Sequence, residues 1–305
     1  MPTTGSHPPV EQILVPAGRF LMGSDHHYPE ERPTRMVEVE PFLIDVFPVT
    51  NRAFMGFVAE TGYVTVAEKP PDPTRYPLAQ LRDLVPGSLV FSMTERPVPL
   101  TDFCAWWKWT PGACWRQPQG PGSDLEGLEE HPVVHVAYQD ALEYARWAGK
   151  ALPSEEQWEY AARGGREGKV FEWGNQDYQE SAPRANTWQG RFPYENTRLD
   201  GWVLTSPVGW YPPNGFGLHD LTGNVWEWTS TPFDRPGSSI PPGCGPTGPS
   251  DPDQGTEPIP YLTIKGGSHL CSIRYCFRYR PAARQPQTPD TSTGHIGFRC
   301  ISEPS

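Results

Sequence analysis

The sequence predicts an α+β fold with a high content of irregular backbone. Three observations lead there. Proline fills 38 of 305 positions, more than twice the usual share of about 5%, and proline breaks helices and central strands. The chain also carries 13 Phe, 12 Trp and 12 Tyr, which a disordered chain would lack. Between the proline-rich stretches lie a few segments with helical spacing and some short apolar runs. A chain this long buries about three-quarters of its extended surface. It can therefore fold without a disulfide scaffold, with large rings pinning the loops.

In chain order, 1–10 is read as flexible. Ile13 to Met22 and Val37 to Phe47 alternate in part and are β-branched or aromatic, so both read as strands. Thr50 is placed as a helix N-cap. Phe54, Phe57 and Val58 follow at helical spacing, and Gly62 stands where a C′ glycine belongs. Residues 65–130 hold many prolines with Trp106, Trp107, Trp109 and Trp115. They read as irregular structure, because linkers do not carry so many rings. Val133 to Ala137 reads as a short strand and Tyr138 to Ala148 as a helix closed by Gly149. Ser154, with Gln157 as its capping-box partner, opens a helix that runs to Arg163 and stops at Gly164. Residues 231–260, with nine Pro and five Gly, read as an exposed excursion. No separate core is visible beyond it, so 1–305 is read as one domain.

The formal net charge is −11. That argues against a nucleic-acid partner, which calls for a basic patch. It suits solubility without identifying a function. No run of 18 apolar residues exists, so no transmembrane helix and no membrane partner are expected. Met1 to Pro9 lacks the charged and apolar regions of a signal peptide. A cytoplasmic location is therefore expected, with most of the six cysteines reduced.

Cys271 and Cys276 lie in KGGSHLCSIRYCFRYRPAAR (265–284). Such a pair is open to four readings: a disulfide, two buried cysteines, a metal site or a catalytic site. Arg274, Arg278, Arg280 and Arg284 lie near it in sequence, and local positive charge favours the thiolate. The same arginines could serve core salt bridges. Two thiolates without a third cysteine or a spaced histidine make a poor zinc site. Two soft ligands suit Cu(I). His269 reads as a bystander. In LHDLTGNVWEW (218–228), Asp220, Glu227 and intervening carbonyls form a set that Ca²⁺ accepts. A capped turn before a Trp-rich strand explains the same residues. Asn186 and Asp200, flanking a glycine-containing loop, are a weaker candidate of the same kind.

Taken in order, several segments carry a family resemblance. They are GRFLMGS (18–24), PVTNRAFMGFVAETGY (48–63), HPVVHVAYQDALEYARWAGKALPSEEQWEYAARGG (131–165), ANTWQGRFP (185–193), NGFGLHDLTGNVWEW (214–228), the cysteine segment and GFRC (297–300). The chain resembles the formylglycine-generating enzymes, the sulfatase-modifying factors, most specifically in the cysteine segment and least over 65–130. The resemblance implies the formylglycine-generating-enzyme fold, C-type-lectin-like and poor in regular secondary structure. It implies oxidation of a cysteine in a CxPxR-type segment of an unfolded or nascent sulfatase to Cα-formylglycine, with copper and O₂. Cys271 and Cys276 match the pair that binds Cu(I), with the substrate thiolate joining as a third sulfur ligand. Ser268, Tyr275, Trp226 and Arg284 match residues around the substrate and oxygen pocket. Asn186, Thr187, Asp200 and Trp202 match one calcium site, and Asp220, Gly223, Val225 and Glu227 a second. Asp220 stands where the animal enzymes have Asn.

Two half-cystine positions of the secreted members hold Ala145 and Pro281, so both family bridges are expected to be absent. Cys300 is then the unpaired half of one of them, and Cys104, Cys114 and Cys244 read as spectators. A bacterial-type, monomeric, cytoplasmic member is expected. The alternative is a non-catalytic peptide- or glycan-binding module of the same fold. A thiol–disulfide exchange protein would carry CxxC on a βα unit. A sulfoxide synthase of this fold would need an iron-binding domain, for which 1–12 leaves no room.

Overall fold

Each of the two apolar segments that open the chain is cut in two. The computed structural model describes residues 10–76, 80, 84–176, 183–234 and 261–304. Within it the first segment forms β1 (Gln12–Val15) and β2 (Gly18–Met22), broken at Pro16. The second forms β3 (Arg35–Val39) and β4 (Phe42–Asp45), broken at Pro41. Proline has no N–H for a ladder, so each break lets the chain change partners. β2 and β3 pair antiparallel, while β1 pairs with β4. On the other side of β4 lies β11 (Ile301–Ser302), so the three-stranded sheet runs β1-β4-β11. The expectation for 1–10 falls outside the described residues, Val10 excepted.

Helix α1 (Asn51–Thr61) begins as expected: the Thr50 hydroxyl accepts the Ala53 N–H at 3.2 Å, and Gly62 closes the helix in the left-handed region. Residues 65–130 are less irregular than expected. They hold β5 (Gly87–Phe91) and β6 (Trp107–Pro111), paired in register from Gly87–Pro111 to Phe91–Trp107. The alternation of Trp107 and Trp109 is the period-two signal behind β6.

Val133 to Ala137 is not a strand. It is buried, but His135 takes φ 59°, which no ladder accommodates. The Val133 N–H goes to Val49 O at 2.9 Å and the His135 N–H to Thr293 O at 2.9 Å, two separate elements. Helix α2 (Tyr138–Trp147) follows, with Asp140 accepting the Ala137 N–H at 2.8 Å. Helix α3 (Glu155–Arg163) has the Ser154–Gln157 capping box and ends at left-handed Gly164.

The C-terminal half supplies a four-stranded sheet in the order β10-β7-β8-β9. Its strands are β7 (Trp226–Pro232), β8 (Leu262–Lys265), β9 (Arg284–Gln287) and β10 (Ile296–Gly297). Of the expected excursion, 231–232 ends β7, and 235–260 lie outside the described residues. α3 is tied to this sheet by buried charge: Lys265 pairs with Glu159 at 2.8 Å, and Arg284 with Glu155 at 2.8 Å.

Three apolar clusters fill the interior. The largest joins α1 and α2 to the four-stranded sheet and includes Trp226, Trp228, Phe298 and Cys271. The second packs β1–β4 on α3. The third gathers Phe91, Trp106, Trp188, Phe192 and Leu270. Among the described residues, short strands, three α-helices and extensive coil make this the α+β, coil-rich fold expected.

Candidate active site

The loop after β8 carries the cysteines, and glycine shapes its start. Gly266 and Gly267 take φ 94° and 72°. A Cβ on Gly266 would meet Leu221 O at 2.7 Å, and one on Gly267 would meet Tyr279 N at 2.8 Å. Only glycine lets the chain pass so close to its neighbours. Two turns follow: Cys271 N–H to Ser268 O at 2.9 Å, then Cys276 N–H to Ser272 O at 3.0 Å. The loop closes on itself, and the two sulfurs meet at 3.1 Å.

Cys271 is 2% exposed and Cys276 is partly exposed. The Cys271 S–H donates to the Cys276 sulfur. That hydrogen bond draws the Cys276 thiol down to about 7 against the pull of burial, and the charge of Arg278 helps. Burial pushes the Cys271 thiol well above its usual range. The pair therefore shares one proton, held on Cys271, with thiolate character on Cys276. The Ser268 N–H points at the Cys271 sulfur at 3.4 Å.

The sequence-named residues around the pair are brought together unequally. Ser268 is buried beside Cys271. Tyr275 stacks on Phe192 at 4.2 Å with Trp106 edge-on, and burial beside both thiols raises its phenol. Trp226 shares the largest apolar cluster with Cys271 and Cys276. Arg284 is bound instead to Glu155, and its guanidinium lies 4.5 Å over Phe233. The four arginines do not act as one positive patch. Arg274 is exposed, Arg280 grips Glu31 at 2.9 and 2.5 Å, and Arg278 is the one that affects the thiols. His269 is buried with Nδ1 2.8 Å from Asn224 O.

The segment 220–227 buttresses this loop. The Gly223 N–H donates to Gly266 O at 2.9 Å, and the His269 N–H to Asn224 O at 2.9 Å. Trp188 N–H reaches Cys271 O at 2.9 Å. Both expected calcium sets therefore adjoin the cysteine loop. In the first, Asn186 Nδ2 donates to Leu204 O at 2.9 Å, and Asp200 accepts from Trp202 N–H at 3.0 Å and Tyr211 O–H at 2.6 Å. In the second, Asp220 accepts the Gly209 N–H at 2.7 Å. Glu227 is paired with Arg299 at 2.8 Å and accepts from Trp158 Nε1 at 2.8 Å.

Among the described residues no three His, Cys, Asp or Glu side chains form a metal-holding group. An ion here would therefore depend on backbone carbonyls, as the sequence reading supposed. The charge suits one. Burial raises Asp220 to about 6, and raises nearby Glu172 to about 8, helped by Asp220 and Glu227. A surplus of buried carboxyl favours a hard cation. Likewise two sulfurs side by side suit a soft ion.

Sequence reasoning missed Glu172, Phe192, Tyr28 and Glu30. The last two reach the site from the N-terminal segment. It also misjudged Cys104, which is disulfide-bonded. Cys114, Cys271, Cys276 and Cys300 are free.

Known proteins resemble this chain over nearly its whole length. A family model, the sulfatase-modifying factor enzyme 1-like domain, matches residues 1–304. The formylglycine-generating enzyme of Mycobacterium tuberculosis is 53% identical over 294 residues, 96% of this chain and 98% of that one. The Thermomonospora curvata enzyme of the same name is 42% identical over 296 residues, 96% of this chain and 93% of that one. Bos taurus inactive C-alpha-formylglycine-generating enzyme 2 is 39% identical over 305 residues, 98% of this chain and 90% of that one. Among solved structures, PvdO from Pseudomonas aeruginosa superposes with a TM-score of 0.59 at 24% identity, covering 96% of this chain and 94% of that one. That last likeness speaks for the fold alone. With a family model matched over residues 1–304 and a relative 53% identical over 96% of the chain, the chain belongs to the sulfatase-modifying factor enzyme 1-like family.

Proposed function

We propose that this protein matures sulfatases by oxidising a cysteine of the sulfatase polypeptide to Cα-formylglycine. The observation that carries the reading is the Cys271–Cys276 pair, 3.1 Å apart, in a chain 53% identical to a formylglycine-generating enzyme. The names of the relatives support sulfatase maturation and an enzyme acting on cysteine. The finer reading is an oxidoreductase acting on a sulfur group, with O₂ as acceptor and a CxPxR-type segment as substrate.

Cys271 and Cys276 would hold Cu(I). The ion when bound supplies a soft, redox-active centre with room for a further ligand. The protein's own part is to present two sulfurs with one proton between them and to exclude water. Trp226 shares the apolar cluster of the pair, Tyr275 adjoins Cys276 in the chain, and the Ser268 N–H points at the Cys271 sulfur. Exposed Ile273 and Arg274 lie at the turn between the cysteines, where an extended peptide can approach. Arg284 acts at one remove, holding β9 to Glu155.

Two structural Ca²⁺ ions belong to the reading, one at Asn186, Thr187, Asp200 and Trp202, the other at Asp220, Gly223, Val225 and Glu227. The protein works as a single-domain monomer on an unfolded or nascent partner. No helix among the described residues is long and apolar enough to cross a membrane. The proposed location is the cytoplasm, where the pair stays reduced; free Cys300 supports this and the disulfide at Cys104 runs the other way.

The second reading is a non-catalytic peptide- or glycan-binding module, favoured by the 39% identity to an inactive relative. Incubation of a CxPxR peptide with the Cu(I)-loaded protein in air separates the two. Oxidation gives a peptide whose thiol has become an aldehyde, seen as a loss of mass. An unchanged peptide with confirmed copper loading would overturn the enzyme reading.

A further inference from the structure

A turn far away in sequence grips the cysteine loop. Pro29–Glu31 forms a 3-10 turn between β2 and β3, preceded by His27 and Tyr28. The Phe277 N–H donates to the Tyr28 hydroxyl at 3.1 Å. The Arg278 guanidinium carbon lies 3.7 Å over the Tyr28 ring, well inside cation–π range. Glu30 pairs with Arg278 and Glu31 with Arg280. The His27 ring packs edge-on against Phe277 at 5.5 Å. Ring and carboxylate together leave the guanidinium little freedom.

One donor of that guanidinium is unused. Arg278 Nε is buried and has no acceptor among the described residues. The Arg278 backbone is tied to the same loop, where its N–H donates to Cys276 O at 2.8 Å. Two thiolates around a monovalent ion carry one net negative charge. Burying that charge without a partner is costly. A guanidinium held beside the cysteine loop offsets it.

We propose that Tyr28 is a positioning residue for the Cys271–Cys276 centre, holding the Arg278 guanidinium beside the cysteine loop so that its charge balances two thiolates on a soft monovalent ion. The inference rests on the copper reading above. It assigns Tyr28 a role that acts through Arg278, without contact to the reacting atoms. A plain staple between distant segments would make the same contacts, yet it would affect stability alone.

The test is Cu(I) affinity, measured by competition with a chromophoric Cu(I) chelator on wild type, Tyr28→Leu, Tyr28→Phe, Arg278→Gln and Arg278→Lys, each first shown to be folded. Tyr28→Leu and Arg278→Gln should weaken Cu(I) binding by about tenfold, the scale of a lost outer partner of a metal ligand. Tyr28→Phe keeps the ring and should stay near wild type, and Arg278→Lys should recover part of the loss. If Tyr28→Leu fails to fold, the two Arg278 variants carry the comparison. Lower melting temperatures with Cu(I) affinity unchanged in the folded variants would overturn the inference and leave the copper reading standing. No Cu(I) bound by wild type would overturn both.

Discussion

At the residue scale the outcome turns on one shared proton. Cys276 is drawn down to about 7, so in the metal-free protein its thiolate should populate as pH rises through neutrality. Alkylation of Cys276 followed against pH should therefore show a midpoint near 7. In Cys271→Ala that midpoint should move up, because the hydrogen bond that comes first in lowering it is gone. An unshifted midpoint would show that Cys271 does not donate to Cys276. Cys271→Ser and Cys276→Ser should each abolish stoichiometric Cu(I) binding, and retention by either would make the pair incidental. The pair was legible in the sequence because both partners lie in one short loop. Tyr28 and Glu30 were not, because nothing local in YPEER says which distant arginine it will meet. The four arginines misled for the converse reason. Nearness in sequence put them together, and the fold gave Glu31 and Glu155 two of them.

At the scale of elements, caps and glycines carried the sequence reading. Thr50, Ser154, Gly62 and Gly164 stand where their helices begin and end. Ser154→Ala should cost about 1 kcal/mol of stability, read by chemical denaturation. Two glycine substitutions should differ in kind. Gly62 at φ 66° has open space around it, so Gly62→Ala should cost only the strain of a left-handed residue, about 1–2 kcal/mol. Gly266→Ala must also displace Leu221 O and should cost clearly more, disturbing the cysteine loop with it. Equal costs would mean that the loop yields easily. Strands were read less well than helices. Val133 to Ala137 has strand composition, but left-handed His135 sends its hydrogen bonds to two elements. β5 and β6 escaped notice because proline on every side hid a short period-two run.

At the scale of the whole molecule, the composition gave the class correctly: ordered loop pinned by rings. It could not show which loops support which. The support comes from 220–227, whose backbone bonds hold Gly266 and His269. If calcium occupies that segment, chelation should lower the melting temperature and slow peptide oxidation together, and added Ca²⁺ should restore both. A melting curve indifferent to chelator and calcium would remove the ions from the account. Asp220 and Glu172, raised to about 6 and 8, point the same way in pH. Their folded-state values lie above the usual carboxyl range, so without the ion they favour the protonated protein, and stability should fall as pH rises from the ordinary carboxyl range to about 6 for Asp220 and on to about 8 for Glu172. Bound calcium should flatten that decline.

The β1-β4-β11 sheet has a consequence for how the chain comes to be folded. β4 has the first strand on one side and the last on the other, with Ile44 opposite both Ile13 and Ile301. Its second edge stays bare until residues 301–302 leave the ribosome. The same late arrival brings Arg299, without which Glu227 is a buried charge lacking its partner. Such long-range closure is slow. This sheet can therefore close only once residues 301–302 have been made, and a chain stopped short of 301 should present an open, sticky edge.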